Sequence, residues 1–164
     1  MPITENVLRK YINPCFIETG SYKGSTIQKA IDIGFEKIIS IELSPVLYKI
    51  CLESFKNNKN VTLYCGDVQL LLEKILKDID LKITFWLDAH YSGPGTAKGL
   101  KNDPIIEELD IIKKHHLKDH TILVDDMRLM DKNSIINKIK EINNSYKFSF
   151  ENGEIDNDIL VAKI

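Results

Sequence analysis

Short runs rich in β-branched and aromatic residues recur along this chain, most of them closing on an acid or leading directly to one, with stretches of helical apolar spacing between them. Such runs stand at Cys15–Glu18, Lys37–Glu42, Val61–Tyr64, Ile83–Leu87 and Thr121–Val124. Hairpin proteins place turns between strands. A helix between each strand and the next instead carries the chain back to start a parallel neighbour. Right-handed crossovers put those helices on both faces, so the pattern predicts an α/β, Rossmann-like, doubly wound and mostly parallel sheet. Two last runs, Tyr146–Phe150 and Ile159–Ile164, meet across Asn152-Gly153 with no helix between them. They predict an antiparallel hairpin at the sheet edge and bring the sheet to seven strands.

The intervening segments carry helix punctuation. A leading helix is predicted near residues 3–12, stopping before Pro14. The next starts at about Gly24, sets Ile27, Ala30 and Ile31 on one face and ends at Gly34. Ser44-Pro45 supplies an N-cap and a first-turn proline for a helix running to about Asn57. Gly66-Asp67 precedes a helix with Leu71, Leu72, Ile75, Leu76 and Ile79 inward, and Asp103-Pro104 opens one lined by Ile105, Leu109 and Ile112. Ile135, Ile136, Ile139 and Ile142 line the last. At 164 residues, one domain over 1–164 is expected.

Composition narrows the function classes. Hydrophobic residues at 43% and charged residues at 28% can build a packed core, which excludes disordered and collagen-like chains. No apolar run approaches the roughly 20 residues that cross a bilayer, and the first residues lack a signal-peptide pattern, so no membrane partner and a cytoplasmic location are expected. A net charge of -2 pulls weakly on phosphate backbones, which argues against nucleic acid as a partner. Cys15, Cys51 and Cys65 show no Cys-x-x-Cys spacing and are expected to be reduced, buried thiols. Trp86 is expected in the core. His115, His116 and His120, interspersed with Lys113, Lys114 and Lys118, are expected to form a solvated helix end.

Ligands of open α/β sheets bind outside the carboxyl ends of the strands. That edge should gather Glu18, Glu42, Asp67, Asp88, Asp125 and Asp126. Any one of them can merely cap the next helix, but together they would repel and raise one another's pKa. A cationic or hydroxyl-rich ligand, a metal, or both, is therefore implied. The first loop reads Glu18-Thr19-Gly20-Ser21-Tyr22-Lys23-Gly24. Tyr22 stands where the dinucleotide fingerprint needs its middle glycine, and Gly24 is followed by Ser25-Thr26 rather than a Walker Lys-Ser/Thr. An acid before a glycine turn suits an ammonium or sulfonium group, and Glu42 can accept from two ribose hydroxyls.

Over nearly the whole chain these motifs resemble class I S-adenosylmethionine (SAM)-dependent methyltransferases, and within them the metal-dependent O-methyltransferases of the catechol type and their sugar-modifying relatives. The resemblance implies that Glu18, Gly20, Ser21, Tyr22, Gly24 and Ser25 bind the methionine part of SAM and that Glu42 binds its ribose. Asp67, with Val68 and Gln69, then lies at the adenine. It further implies that Asp88, Asp125 and Asp126 hold a divalent cation, with Asp88 also touching the SAM ammonium group. Three hard oxygen ligands suit Mg²⁺ or Mn²⁺.

The catechol type carries Lys three residues after its strand-four acid; here that residue is Tyr91. His90 is the expected general base, with Tyr91 as the alternative, and residues 92–99 are the expected substrate lid. The expected reaction is metal-assisted methyl transfer to an oxygen of a small hydroxylated acceptor, a sugar or other polyol or phenol. The acceptor pocket is expected from the strand-four loop, the leading helix or the second subunit of a homodimer. A SAM- or metal-binding Rossmann-like partner subunit without methyl transfer is the alternative.

Overall fold

The computed structural model describes residues 3–89, 104–153 and 155–164. Among them, seven strands form one sheet: β1 Cys15–Thr19, β2 Lys37–Glu42, β3 Val61–Cys65, β4 Ile83–Leu87, β5 Thr121–Val124, β6 Lys147–Glu151 and β7 Ile159–Lys163. Their order is β3-β2-β1-β4-β5-β7-β6. The first five run parallel, and β7 lies antiparallel between β5 and β6. The expected doubly wound sheet with an antiparallel C-terminal hairpin is the observed one. Strand order reverses between β1 and β4, which opens a crevice at their carboxyl ends.

Burial follows position in the sheet. Every residue of β1, β4 and β5 is buried, as strands covered on both faces must be, whereas the edge strands β3 and β6 are partly exposed. Alternate residues divide into two cores. Phe16, Trp86, Leu123 and Val161 pack with Ile27, Ala30, Cys51 and Phe55 from α2 (Ser25–Ile33) and α3 (Pro45–Phe55). Ile17, Phe85, Ile122 and Val124 pack with Leu72, Leu109 and Ile139 from α4 (Val68–Lys77), α5 (Ile105–Lys114) and α6 (Lys132–Ile142). Ser44 caps α3 by accepting from Leu47 N, and Gly34 ends α2 in the left-handed region.

Three expectations need correction. The leading helix is one α turn, α1 (Glu5–Leu8), followed by a 3₁₀ turn at Arg9–Tyr11. The Tyr11 carbonyl accepts from the Thr84 hydroxyl, and Asn13 Nδ2 donates to Ile83 O, Thr84 Oγ1 and Thr121 Oγ1, so strand contacts replace further helical bonds. Cys15 and Cys51 are buried, but Cys65 is exposed because β3 is an edge strand. His116 is exposed and pairs with Asp80 at 2.7 Å, while His115 and His120 are buried.

Those two histidines form one directed chain of hydrogen bonds. Ile83 N donates to His120 Nδ1 (3.1 Å), and His115 Nε2 bonds the Ile79 carbonyl (2.8 Å), which can only accept. His120 Nε2 must therefore donate to His115 Nδ1 at 2.9 Å, with both rings neutral. Burial first, then the neighbouring His115, pushes the His120 pKa down from 6.5 to about 4. The unfolded chain takes up this proton near 6.5, so the contribution of His120 to stability is complete above that pH and drains away as pH falls toward 4. In ¹H–¹³C spectra the His120 ring is expected to keep its Nε2–H tautomer signals unchanged from pH 8 to 5. A titration midpoint near 6.5 would refute the directed chain.

Candidate functional site

The carboxyl end of β1 delivers Glu18 to the crevice. Glu18 is 1% exposed and lies beside Ser40 of β2, whose hydroxyl donates to Glu18 Oε2 at 2.6 Å. Ser40 has one proton to give, so the Ser21 hydroxyl, 2.5 Å away, donates to it. Burial raises the Glu18 pKa from 4.5 to about 8. The hydrogen bonds from Ser40 and Thr26 oppose that rise, and the charges of Asp88 and Glu42 add to it. A cationic ligand at this position would restore the carboxylate.

The following loop is held against its neighbours by backbone. Gly20 N and Ser21 N both donate to Ile41 O, at 2.9 and 3.3 Å. Gly20 has φ 90, and a Cβ there would stand 2.6 Å from the Asp88 carbonyl oxygen. Only a residue without a side chain lets this loop abut the end of β4. Gly24, at φ 80, faces the Phe55 ring, which a Cβ would meet at 2.5 Å. Tyr22 adopts φ 47, which turns its amide onto Glu42 Oε2 at 2.7 Å while its ring remains half-exposed. Ser44 N donates to Glu42 Oε1 at 2.8 Å.

Glu42 is buried, which raises its pKa, and the amides of Ser44, Tyr22 and Leu43 oppose the rise. Tyr22 N and Ser44 N approach different oxygens of the carboxylate, which as an acceptor-only group has about four lone-pair sites and so retains capacity for a hydroxyl. Asp67, at the end of β3, caps α4 through Gln69 N at 2.9 Å, and exposed Ser25 opens α2.

The strand-four and strand-five acids converge on the other side of the switch point. Asp88 N donates to Thr19 O at 3.2 Å, tying the end of β4 to β1, and Asp125 N donates to Leu87 O at 3.2 Å. Asp88, Asp125 and Asp126 each offer an oxygen, and these oxygens lie within 4.8 Å of one another. Burial, then the charge of Asp88, raises the Asp125 pKa from 3.8 to about 7; the Asp126 backbone amide opposes this, and the charges of Asp126 and Asp158 add to it. The donor set fits a hard divalent cation: oxygen ligands only, clustered, and mutually repelling without positive charge.

Sequence reasoning missed four residues. Ser40 and Thr26 both bond Glu18, and Ser40 was legible as a hydroxyl set between the isoleucines of β2. Arg128 pairs with Asp126 and with Asp158, and Asp158 accepts Arg128 N at 2.8 Å. Asp158 belongs to the site because β7 runs antiparallel, so its start shares an edge with the other strands' ends. His90, Tyr91 and the expected lid at 92–99 lie outside the described residues. Among those described, no helix is long and apolar enough to cross a membrane.

No family model matches this sequence, and no curated protein matches it. Solved structures do match in three dimensions. The SAH-bound methyltransferase PaMTH1 of Podospora anserina superposes with a TM-score of 0.66 at 12% identity, covering 97% of this chain and 75% of that one. The O-methyltransferase TomG of Streptomyces achromogenes, in complex with SAM, gives 0.63 at 11% identity, with coverage of 98% and 77%. Precorrin-6y C5,15-methyltransferase of Geobacter metallireducens gives 0.64 at 14% identity, with coverage of 96% and 84%. With its strand order and antiparallel β7, this chain has the fold of the class I SAM-dependent methyltransferases.

Proposed function

We propose that this chain is a SAM-dependent methyltransferase acting on an oxygen of a small hydroxylated acceptor, a sugar or other polyol or phenol, with Mg²⁺ or Mn²⁺ held by Asp88, Asp125 and Asp126. The observation that carries the reading is Glu18 and Glu42, buried at adjacent strand ends around a glycine turn that offers no phosphate cradle. Glu18, backed by Ser40 and Thr26, would hold the methionine ammonium group, and Glu42 would accept from the ribose hydroxyls. When bound, SAM supplies a sulfonium methyl, and the cation supplies positive charge that lowers a hydroxyl pKa.

The fold also serves a C-methyltransferase, so oxygen as the receiving atom rests on the three hard carboxylates. Gly20 lets the SAM loop abut the Asp88 backbone, which sets the two halves of the site side by side for in-line transfer. His90, two residues past Asp88 in the sequence, is our candidate for taking the acceptor proton, and Tyr91 is the alternative.

Calorimetry tests the cofactor half. SAM and S-adenosylhomocysteine are expected to bind near micromolar levels, and Glu42→Ala should weaken both by at least tenfold, since charge-assisted hydrogen bonds contribute about 1.5–3 kcal/mol each. Unchanged affinity in a folded Glu42→Ala protein would remove the ribose contact. Tight NAD binding without SAM binding would overturn the cofactor itself.

A further inference from the structure

Resting on the metal reading above, we propose that Arg128 is a resident countercation of the carboxylate cluster and that it competes with the divalent ion for Asp126. Arg128 sits in the 3₁₀ turn Met127–Leu129, directly after Asp126, whose own backbone takes φ 52. That left-handed residue turns the chain back so that the guanidinium reaches the side chain two positions earlier. The same guanidinium holds Asp158, which is 3% exposed and also takes Arg128 N at 2.8 Å, while the Asp158 carbonyl accepts Met127 N at 3.0 Å.

The two partners of Arg128 are not equivalent. Asp158 is a buried carboxylate that would be strongly destabilised without its counterion, so Arg128 stays anchored there. The Asp126 side chain is more exposed, and it is the partner that also faces Asp88 and Asp125. Arg128 Nη1 contacts both acids, and a divalent ion at the cluster would take Asp126 from it while the Asp158 pair stayed intact, so no buried charge would be left alone. Before it arrives, Arg128 offsets part of the repulsion among the acids. Afterwards, the fixed positive charge weakens the hold on the ion, so Arg128 sets metal affinity as a positioning residue.

Electron paramagnetic resonance of free Mn²⁺, titrated with metal-free protein, reads this without turnover. Arg128→Gln is expected to bind Mn²⁺ about tenfold tighter than wild type. Asp158→Asn, which leaves Arg128 entirely to Asp126, should bind it more weakly. An arginine that merely pins the turn predicts the opposite for Arg128→Gln, so equal or weaker binding there overturns the proposal. Should that variant lose its fold, the double variant Arg128→Gln with Asp158→Asn removes the competing guanidinium and leaves no buried carboxylate unpaired; it should also bind tighter than wild type, and equal or weaker binding overturns the proposal. Absence of Mn²⁺ binding by the wild-type protein instead removes the metal reading itself.

Discussion

Asp125→Asn and Asp126→Asn are expected to lose about 10²-fold or more of Mg²⁺-dependent turnover while SAM affinity stays near wild type. Both acids lie on the strand-five side of the crevice, away from Glu18 and Glu42, and with the proposed metal site, losing one of three oxygen ligands would forfeit much of the several kcal/mol a Lewis acid supplies. Asp88→Asn should instead impair both, because Asp88 is tied to Thr19, at the start of the glycine loop proposed to bind SAM, and also lies in the carboxylate cluster.

A second readout separates charge from fold. Asp125 is pushed toward protonation by burial and by its acidic neighbours, so Asp125→Asn relieves repulsion and should raise the melting temperature while turnover falls. Activity that survives EDTA and all three Asn variants would refute a catalytic metal.

Gly20→Ala is expected to destabilise the fold by about 3 kcal/mol and to abolish measurable SAM binding. Its φ of 90 is unfavourable for any residue with a Cβ, and that Cβ would stand 2.6 Å from Asp88 O and 3.3 Å from Ala89 Cα. Both obstacles are backbone, so no rotamer change relieves them; the loop must lift off β4. Gly34→Ala is the internal control. Gly34 shares a positive φ of 95 but meets nothing within 4 Å, so only the conformational penalty of about 1 kcal/mol applies. Urea unfolding of the pair isolates the contact. Equal losses would mean that the Gly20–Asp88 abutment contributes nothing.

Strand bounds were legible to within a residue or two because buried parallel strands are rich in β-branched and aromatic residues, and β1, β2, β4 and β5 are, with their acids confined to the carboxyl ends of β1 and β2. The gathering of Asp88 with Asp125 and Asp126 was legible for a related reason: in a parallel sheet the carboxyl ends share one edge. Residues that acquire their environment from distant chain were not legible. His115 and His120 carry local lysines that suggest solvent, yet the carbonyl of Ile79 and the amide of Ile83 bury and align them. Asp158 reads as part of a polar turn until the reversal of β7 brings it to Arg128, 30 positions away. The edge position of β3, and with it the exposure of Cys65, depends on sheet order, which periodicity does not encode.

The placement of β7 also bears on how the molecule comes together. β6 precedes β7 in the chain but pairs only with it, so β6 cannot join the sheet until β7 has docked on β5. Until that happens β5, buried along its whole length in the finished fold, presents an open apolar edge of the kind that recruits strands from other molecules. The docking event that covers this edge also delivers Asp158 to Arg128. Protection of the β5 edge and completion of the charge pairing beside the carboxylate cluster therefore depend on the same docking event, and a chain whose hairpin fails to dock lacks both.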